Sequence, residues 1–258
     1  MQKQYKDSED QNIMKIGFIG VGQVGQTLGP LFNNLGHEVA VSSSRSPEAL
    51  AGTATQIGAQ AMHVNDVMAW GDIIILATPM NVVPSFATDK LKGKILIDTN
   101  NYALIRDGHI QEILDGKPTT QWVSEHFPGA RTVKAFNNIM MSEFDEYARP
   151  KGAEKRFALP VCSDDYEAKV LIMNLVEEFG YDAYDAGSIA ESWRQQSFQP
   201  AYCIFSELPE LKQLLAEAEV PIPPQVIVKS LEEAMPIFEK HKREAQQKAD
   251  AMALSRKA

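Results

Sequence analysis

The chain has 258 residues, 44% of them hydrophobic, with 25 Lys and Arg against 34 Asp and Glu for a formal net charge of −9. That length supports one sizeable core, alone or with a small appended unit, and excludes a disordered tail or a disulfide mini-protein. The acidic balance argues against a nucleic-acid groove or an anionic membrane surface as partner, which leaves a small molecule as the expected one.

The amino end, "MQKQYKDSEDQN", is polar and mixed in charge, with no apolar segment of a secretory leader. No later stretch approaches the roughly 18 apolar residues of a membrane span, so a soluble, cytoplasmic protein is expected. The first strand is "KIGFI" at 15–19. It runs into Gly20, Gly22 and Gly25, spaced GxGxxG, and then into the helical pattern "GQTLGPLFNNLG". In a strand–turn–helix unit these glycines have separate tasks: Gly20 allows the tight turn, Gly22 lets the backbone approach a pyrophosphate, and Gly25 permits close helix–strand packing. The helix amino terminus adds free N–H groups and a positive dipole end.

A second strand, "EVAVSS" at 38–43, ends in Ser43, Ser44 and Arg45. An NAD site places an acid near this point to bind the ribose hydroxyls, whereas an NADP site removes that charge and supplies a cation. The stretch 41–47 holds no acid. Two hydroxyls and a guanidinium fork suit a dianionic phosphate, so NADP is favoured over NAD.

After the helical "SPEALAGTATQIG" come strands "DIIILAT" (72–78) and "KILIDT" (94–99), whose near-continuous apolar runs fit a sheet buried on both faces. Their ends face the ligand edge of a doubly wound sheet. Pro79 stops one strand, and Thr78 and Asn100 are candidates to bond ribose or carboxamide, with ordinary turn chemistry as the competing reading. Strands at 132–137, 157–162 and 182–186 and a helix at 164–180 continue the alternation.

Beyond residue 188 the alternation stops. "SIAESWRQQSFQPAYCIF" reads as a helix or helix-loop, "PELKQLLAEAEV" as a helix, and after the cluster "PIPPQ" a charged carboxyl-terminal helix follows, kinked near Pro236. In "SWRQQSF", Trp193 reads as packing, while Arg194, Gln195 and Gln196 form a dense polar set suited to an acceptor or a second subunit. The two cysteines, Cys162 and Cys203, form no CxxC pair, and the five histidines fall without metal-ligand spacing, so neither a metal site nor a disulfide framework is expected. No catalytic side chain is singled out.

"IGFIGVGQVGQTLG", "GHEVAVSSSR", "DIIILATP", "GKILIDTNN", "PGARTVKAFNNI" and "GYDAYDAGS" together resemble the coenzyme-F(420)-dependent NADP reductase family, in the same order from about residue 14 to residue 190. The dinucleotide domain of that family is shared by the reductase domain of membrane ferric reductases. The resemblance implies hydride movement between NADP(H) and a flavin- or deazaflavin-like ring as second substrate. It also implies that Gly20, Gly22, Gln23, Val24 and Gly25 hold the pyrophosphate and that Ser43, Ser44 and Arg45 hold the 2′-phosphate. Thr78, Pro79, Phe136 and Asn137 would surround the nicotinamide. The helical tail from about residue 207 is an addition to the family pattern.

The fold expected is α/β, a Rossmann-type, doubly wound, mainly parallel sheet with a small helical carboxyl-terminal addition. Residues 13–187 would form the NADP-binding domain with acceptor-site elements, and residues 188–258 the helical segment, whose amphipathic helices suit a homodimer. The expected partner is a small-molecule electron acceptor. Two alternatives stay open. One takes Lys134 and Asn138 as the proton-transferring pair of a β-hydroxyacid dehydrogenase, although four residues along a strand separate them too far to act together. The other is a non-catalytic NADP-binding sensor or scaffold.

Overall fold

The β-branched runs pair side by side in the computed structural model, which describes residues 13–219 and, beyond them, Gln247. The strands are β1 (Lys15–Ile19), β2 (Glu38–Ser42), β3 (Gln60–Ala61), β4 (Ile73–Leu76), β5 (Ile95–Asp98), β6 (Arg131–Lys134), β7 (Ala158–Ser163) and β8 (Asp182–Asp185). They form one eight-stranded sheet in the order β3-β2-β1-β4-β5-β6-β7-β8. Every pairing is parallel except β6 with β7. The order reverses between β1 and β4, and a ligand crevice belongs at that switch point, outside the carboxyl ends of the strands.

The helices are α1 (Gln23–Asn34), α2 (Pro47–Gln56), α3 (Val64–Trp70), α4 (Leu104–Asp107), α5 (Gln111–Leu114), α6 (Thr119–His126), α7 (Phe144–Tyr147), α8 (Tyr166–Glu178) and α9 (Leu208–Ala216). With β1, β2, β4, β5 and β6 covered on both sides, alternate residues feed two cores. Ile16, Phe18, Val39, Val41, Ile73, Ile75, Ile95, Ile97 and Val133 join Leu28 and Phe32 of α1 on one face. Ile19, Ala40, Ile74, Leu76 and Leu96 join Val67 and Met68 of α3 and Trp122 and Val123 of α6 on the other. At Gly17 an added Cβ would lie 2.7 Å from Val67 Cγ1, so the bare backbone there sets how closely α3 sits on β1.

Helix ends follow local chemistry. Ser46 caps α2, with Pro47 at its first turn, and the Asp165 carboxylate accepts from the Ala168 amide to cap α8. The Lys94 ammonium donates to the Met68, Ala69 and Gly71 carbonyls and closes the end of α3. Burial holds that ammonium below its usual pKa.

Four elements depart from sequence expectation. β3 and α3 carry too few residues to show a period and are absent from the sequence reading. The strand expected at 132–137 stops at Lys134, because Phe136 turns left-handed at φ 58°. The segment after Gly187 forms a 3-10 turn at Ile189–Gln195 rather than an α-helix. It is followed by α9, which packs Leu211 and Leu215 against Ala158 and Ala201. The proline cluster at 221–225 and the carboxyl-terminal helix lie outside the described residues.

Candidate functional site

Gly20 and Gly25 take the turn and packing positions that the spacing predicts for them. Gly20 has φ 111°, and a Cβ there would sit 2.0 Å from the Ala77 carbonyl oxygen, so the ends of β1 and β4 approach only because this residue is glycine. A Cβ at Gly25 would lie 3.1 Å from the Gly20 carbonyl, the close contact of α1 with the strand end. At Gly22 an added Cβ would meet nothing within 4 Å, so no packing among the described residues accounts for this glycine. Gly22 is the N-cap of α1, no side chain caps the helix, and its first turn carries no acid. The free N–H groups and positive end of a twelve-residue helix therefore face open space. Gln23 is exposed beside them, and Val24 is half-buried.

The loop after β2 starts flush with it, since Ile19 pairs with Ser42. Ser42 Oγ donates to the Phe18 carbonyl at 2.9 Å, and Ser43 Oγ accepts from the Arg45 amide at 3.0 Å, which braces the turn. Ser44 and Arg45 are exposed. Among the described residues no carboxylate forms an ion pair with the Arg45 guanidinium. A phosphate dianion at this loop would meet a cation, two hydroxyls and no acid.

Past β4, Thr78 is half-buried and Pro79 exposed. The buried Asp107 carboxylate accepts from Met80 N at 3.0 Å and Ala103 N at 2.8 Å, tying this loop to the one after β5. Thr99 Oγ1 donates to the Leu76 carbonyl at 2.9 Å and makes a second tie.

Asp98 and Lys134, the last residues of β5 and β6, face each other across the sheet. Both side chains are buried, 0% and 1% exposed, and the ammonium lies 3.1 Å from Asp98 Oδ2 and donates also to the Asn100 carbonyl. Thr120 Oγ1 donates to the same carboxylate at 2.6 Å, and the Asn100 amide to its other oxygen at 3.0 Å. Desolvation pulls the Lys134 pKa down, and the Asp98 charge opposes that pull. The Lys134 ammonium thus holds the start of the β5 loop in place, and no hydrogen bond joins it to Asn138, the partner that the dehydrogenase alternative requires.

The left-handed turn at Phe136 buries its ring against Phe144 and Phe179 and swings Asn137 back toward β5. Asn137 Nδ2 donates to Asn101 Oδ1 at 3.0 Å and to the Gln195 carbonyl at 2.7 Å, while Asn101 Nδ2 donates to the Asn137 carbonyl at 2.7 Å. Gln196 Oε1 accepts from the Thr119 amide at 3.0 Å, and Ser197 Oγ donates to the Tyr102 carbonyl at 3.3 Å. The segment after Gly187 is therefore bonded to the β5 and β6 loops and to the start of α6.

The residues expected at the site lie at the carboxyl ends of the parallel strands β1, β2, β4, β5 and β6, on the loops there or, for Gln23, Val24 and Gly25, in the first turn of α1. Gly20 is joined to the Thr78 loop through Ala77, and Asn100 to Phe136 and Asn137 through Asn101 and Lys134. The Gly20 amide donates to the Ser42 carbonyl at 2.9 Å, which ties the glycine turn to the end of β2 where the Ser43–Arg45 loop begins. Asp98, Asn101 and Asp107 were not singled out as site residues, and Lys134 was named only as one of the proton-transferring pair of the dehydrogenase alternative. The signal for Asn101 was the Asn doublet in "DTNN", but that Asp98 meets Lys134 depends on strand order, which one sequence does not display.

Residues 15–102 match the family model for NADP oxidoreductase, coenzyme F(420)-dependent. That span runs from β1 through the loop after β5, and it contains the glycine turn, Ser43–Arg45, Thr78, Pro79 and Asn100. A solved structure of a hypothetical protein from Sinorhizobium meliloti is 25% identical with a TM-score of 0.65, covering 77% of this chain and 97% of that one. A protein from Arthrobacter sp. FB24, provisionally described as an F(420)-dependent NADP reductase, shares the fold at 24% identity and a TM-score of 0.59, covering 70% of this chain and 87% of that one. Metalloreductase STEAP3 of Rattus norvegicus is 26% identical over 180 residues, which are 69% of this chain and 35% of that protein. The chain spans less than half the length of the curated relatives it matches. Among the described residues no helix is long and apolar enough to cross a membrane, and no group of three or more His, Cys, Asp or Glu is placed to hold a metal.

Proposed function

We propose that this chain is an NADP(H)-dependent oxidoreductase whose second substrate is a small-molecule acceptor with a flavin- or deazaflavin-like ring. The observation that carries the reading is Gly22: a helix terminus with no side-chain cap opens onto space that a single Cβ would enter, and no packing among the described residues accounts for that glycine. Gly20, Gly22, Gln23, Val24 and Gly25 would hold the pyrophosphate, and Ser43, Ser44 and Arg45 the 2′-phosphate. Thr78, Pro79, Asn100, Phe136 and Asn137 would border the nicotinamide. The family model over residues 15–102 supports this reading.

When bound, the cofactor supplies two electrons and one proton as hydride from its nicotinamide ring, and the second proton comes from solvent. The contribution of the protein is position: the strand-end loops fix both ligands at one edge, and the ties through Asp107, Asn101 and Asn137 keep those loops from moving independently. No general base is needed, in keeping with a site whose buried lysine is held by Asp98. Residues 13–187 would carry the cofactor and residues 188–258 would shape the acceptor side and a dimer contact, the latter checked by light scattering.

The experiment is to follow nicotinamide absorbance while purified protein and NADPH receive a deazaflavin, FMN, a quinone or a ferric chelate in turn. Rapid oxidation by a ring acceptor is expected. Tight NADPH binding with no turnover by any of them would replace the enzyme with the sensor.

A further inference from the structure

Around the chain Asn101–Asn137–Gln195 the protein buries polar atoms without giving them partners. Asn100, Asn137, Asn138, Ser192 and Gln195 are each at most 6% exposed. Yet Asn100 Nδ2, Asn137 Oδ1, both amide atoms of Asn138, Ser192 Oγ and Gln195 Oε1 have no hydrogen-bond partner among the described residues. One such atom costs about 1–3 kcal/mol in a folded protein, so a cluster of them within one bonded set of loops calls for an occupant. The orphans include both donors and acceptors, and all belong to neutral groups.

Lys134 and Arg106, the cations bonded to the β5 loop, are already committed. Lys134 is held by Asp98 and the Asn100 carbonyl, and Arg106 by Asp107 and the Asn101 carbonyl. A carboxylate arriving here would find no free counter-charge, whereas a neutral group that both donates and accepts would satisfy orphans of both kinds.

We infer that the amides of Asn100, Asn137 and Gln195 form a recognition set for the edge of a planar, uncharged amide or imide, and that the site discriminates against acids. The inference rests on the oxidoreductase reading above and names what that site selects. Two groups share this chemistry: the carboxamide of the nicotinamide, and the pyrimidine-type imide edge of a flavin-like acceptor. In either case Gln195 Oε1 accepts an N–H from the ligand.

The test uses ligands that lack that N–H. Dissociation constants are measured for lumiflavin and its N3-methyl derivative, and for NADPH and its 3-acetylpyridine analogue, on the wild-type protein and on Gln195→Leu. If the acceptor ring is the occupant, N3-methylation weakens binding about tenfold in the wild type and has no effect in the variant. If the cofactor carboxamide is the occupant, the acetylpyridine analogue shows that pattern instead. Equal binding within both pairs, a difference that persists in Gln195→Leu, or no binding by any of the four overturns the inference and leaves the orphan atoms to ordered water. The wild-type comparison needs no variant, so a Gln195→Leu that fails to fold still leaves equal binding as a refutation and an N–H-dependent difference as support. NADPH binding in the same experiment reports separately on the parent reading: intact binding confines the failure to this inference, and its absence overturns both.

Discussion

Gly22→Ala and Gly20→Ala, two substitutions two residues apart, should fail in opposite ways. At Gly22 the backbone is extended, with φ −74° and ψ −155°, and the new Cβ touches nothing. Alanine is a poorer N-cap than glycine, by up to about 1 kcal/mol. Its lower unfolded-state entropy returns roughly 0.4–1 kcal/mol. Stability should therefore change by less than about 1 kcal/mol, which for a chain of this size moves Tm by at most about 4 °C. The methyl instead occupies the approach of a pyrophosphate to the helix end, and losing one charge-assisted bond of about 1.5–3 kcal/mol weakens NADPH by roughly 10- to 150-fold. At Gly20 the Cβ falls 2.0 Å from a backbone oxygen, on a residue with φ 111°. Strain and overpacking together cost roughly 2–5 kcal/mol there, and folding suffers before binding does. Thermal melts and fluorescence titration with NADPH read both variants. A Gly22→Ala protein that binds NADPH as the wild type does, or that melts as low as Gly20→Ala, would refute the division of labour.

Arg45→Glu places an anion where the 2′-phosphate would lie; NADPH affinity should drop about 100-fold while NADH changes little, and equal losses for both would remove Arg45 from the phosphate site. Lys134→Met leaves Asp98 buried with Thr120 and the Asn100 amide but no cation, at a cost of about 3 kcal/mol by urea denaturation; a change under about 0.5 kcal/mol would show that the ion pair holds nothing in place. The Asp165 carboxyl is held at about 2 by the Arg131 guanidinium and the Ala168 amide. A depressed folded pKa contributes stability that is complete above the unfolded value near 3.9 and fades as pH falls toward 2. Asp165→Asn, which keeps a capping oxygen, should flatten the fall of Tm between pH 4 and pH 2, and an unchanged slope would assign acid sensitivity elsewhere.

Much of the fold was legible because the strands are apolar on both faces and the glycine turn punctuates the first of them. "IIILA" admits few readings other than a central parallel strand, and GxGxxG after "KIGFI" locates the ligand edge. The expected cofactor preference has a similar source, since Arg45 sits at a strand end and residues 41–47 hold no acid. Side chains that act through contacts across the sheet were not legible. Asp98 and Lys134 stand 36 residues apart and meet only because β5 and β6 are neighbours. Phe136 looked like a strand residue, and nothing in an aromatic side chain announces a left-handed turn. The polar set at 194–196 stood out as unusual, but Asn137, which bonds to the Gln195 carbonyl, lies 58 residues away.

Whether the edge of this sheet selects NADP(H) is read from the pair of equilibrium dissociation constants for NADPH and NADH on the same purified protein at one ionic strength. NADPH should bind tighter by about tenfold or more, an advantage that shrinks as salt screens the exposed Arg45. Equal affinities, or a preference for NADH, would contradict that expectation.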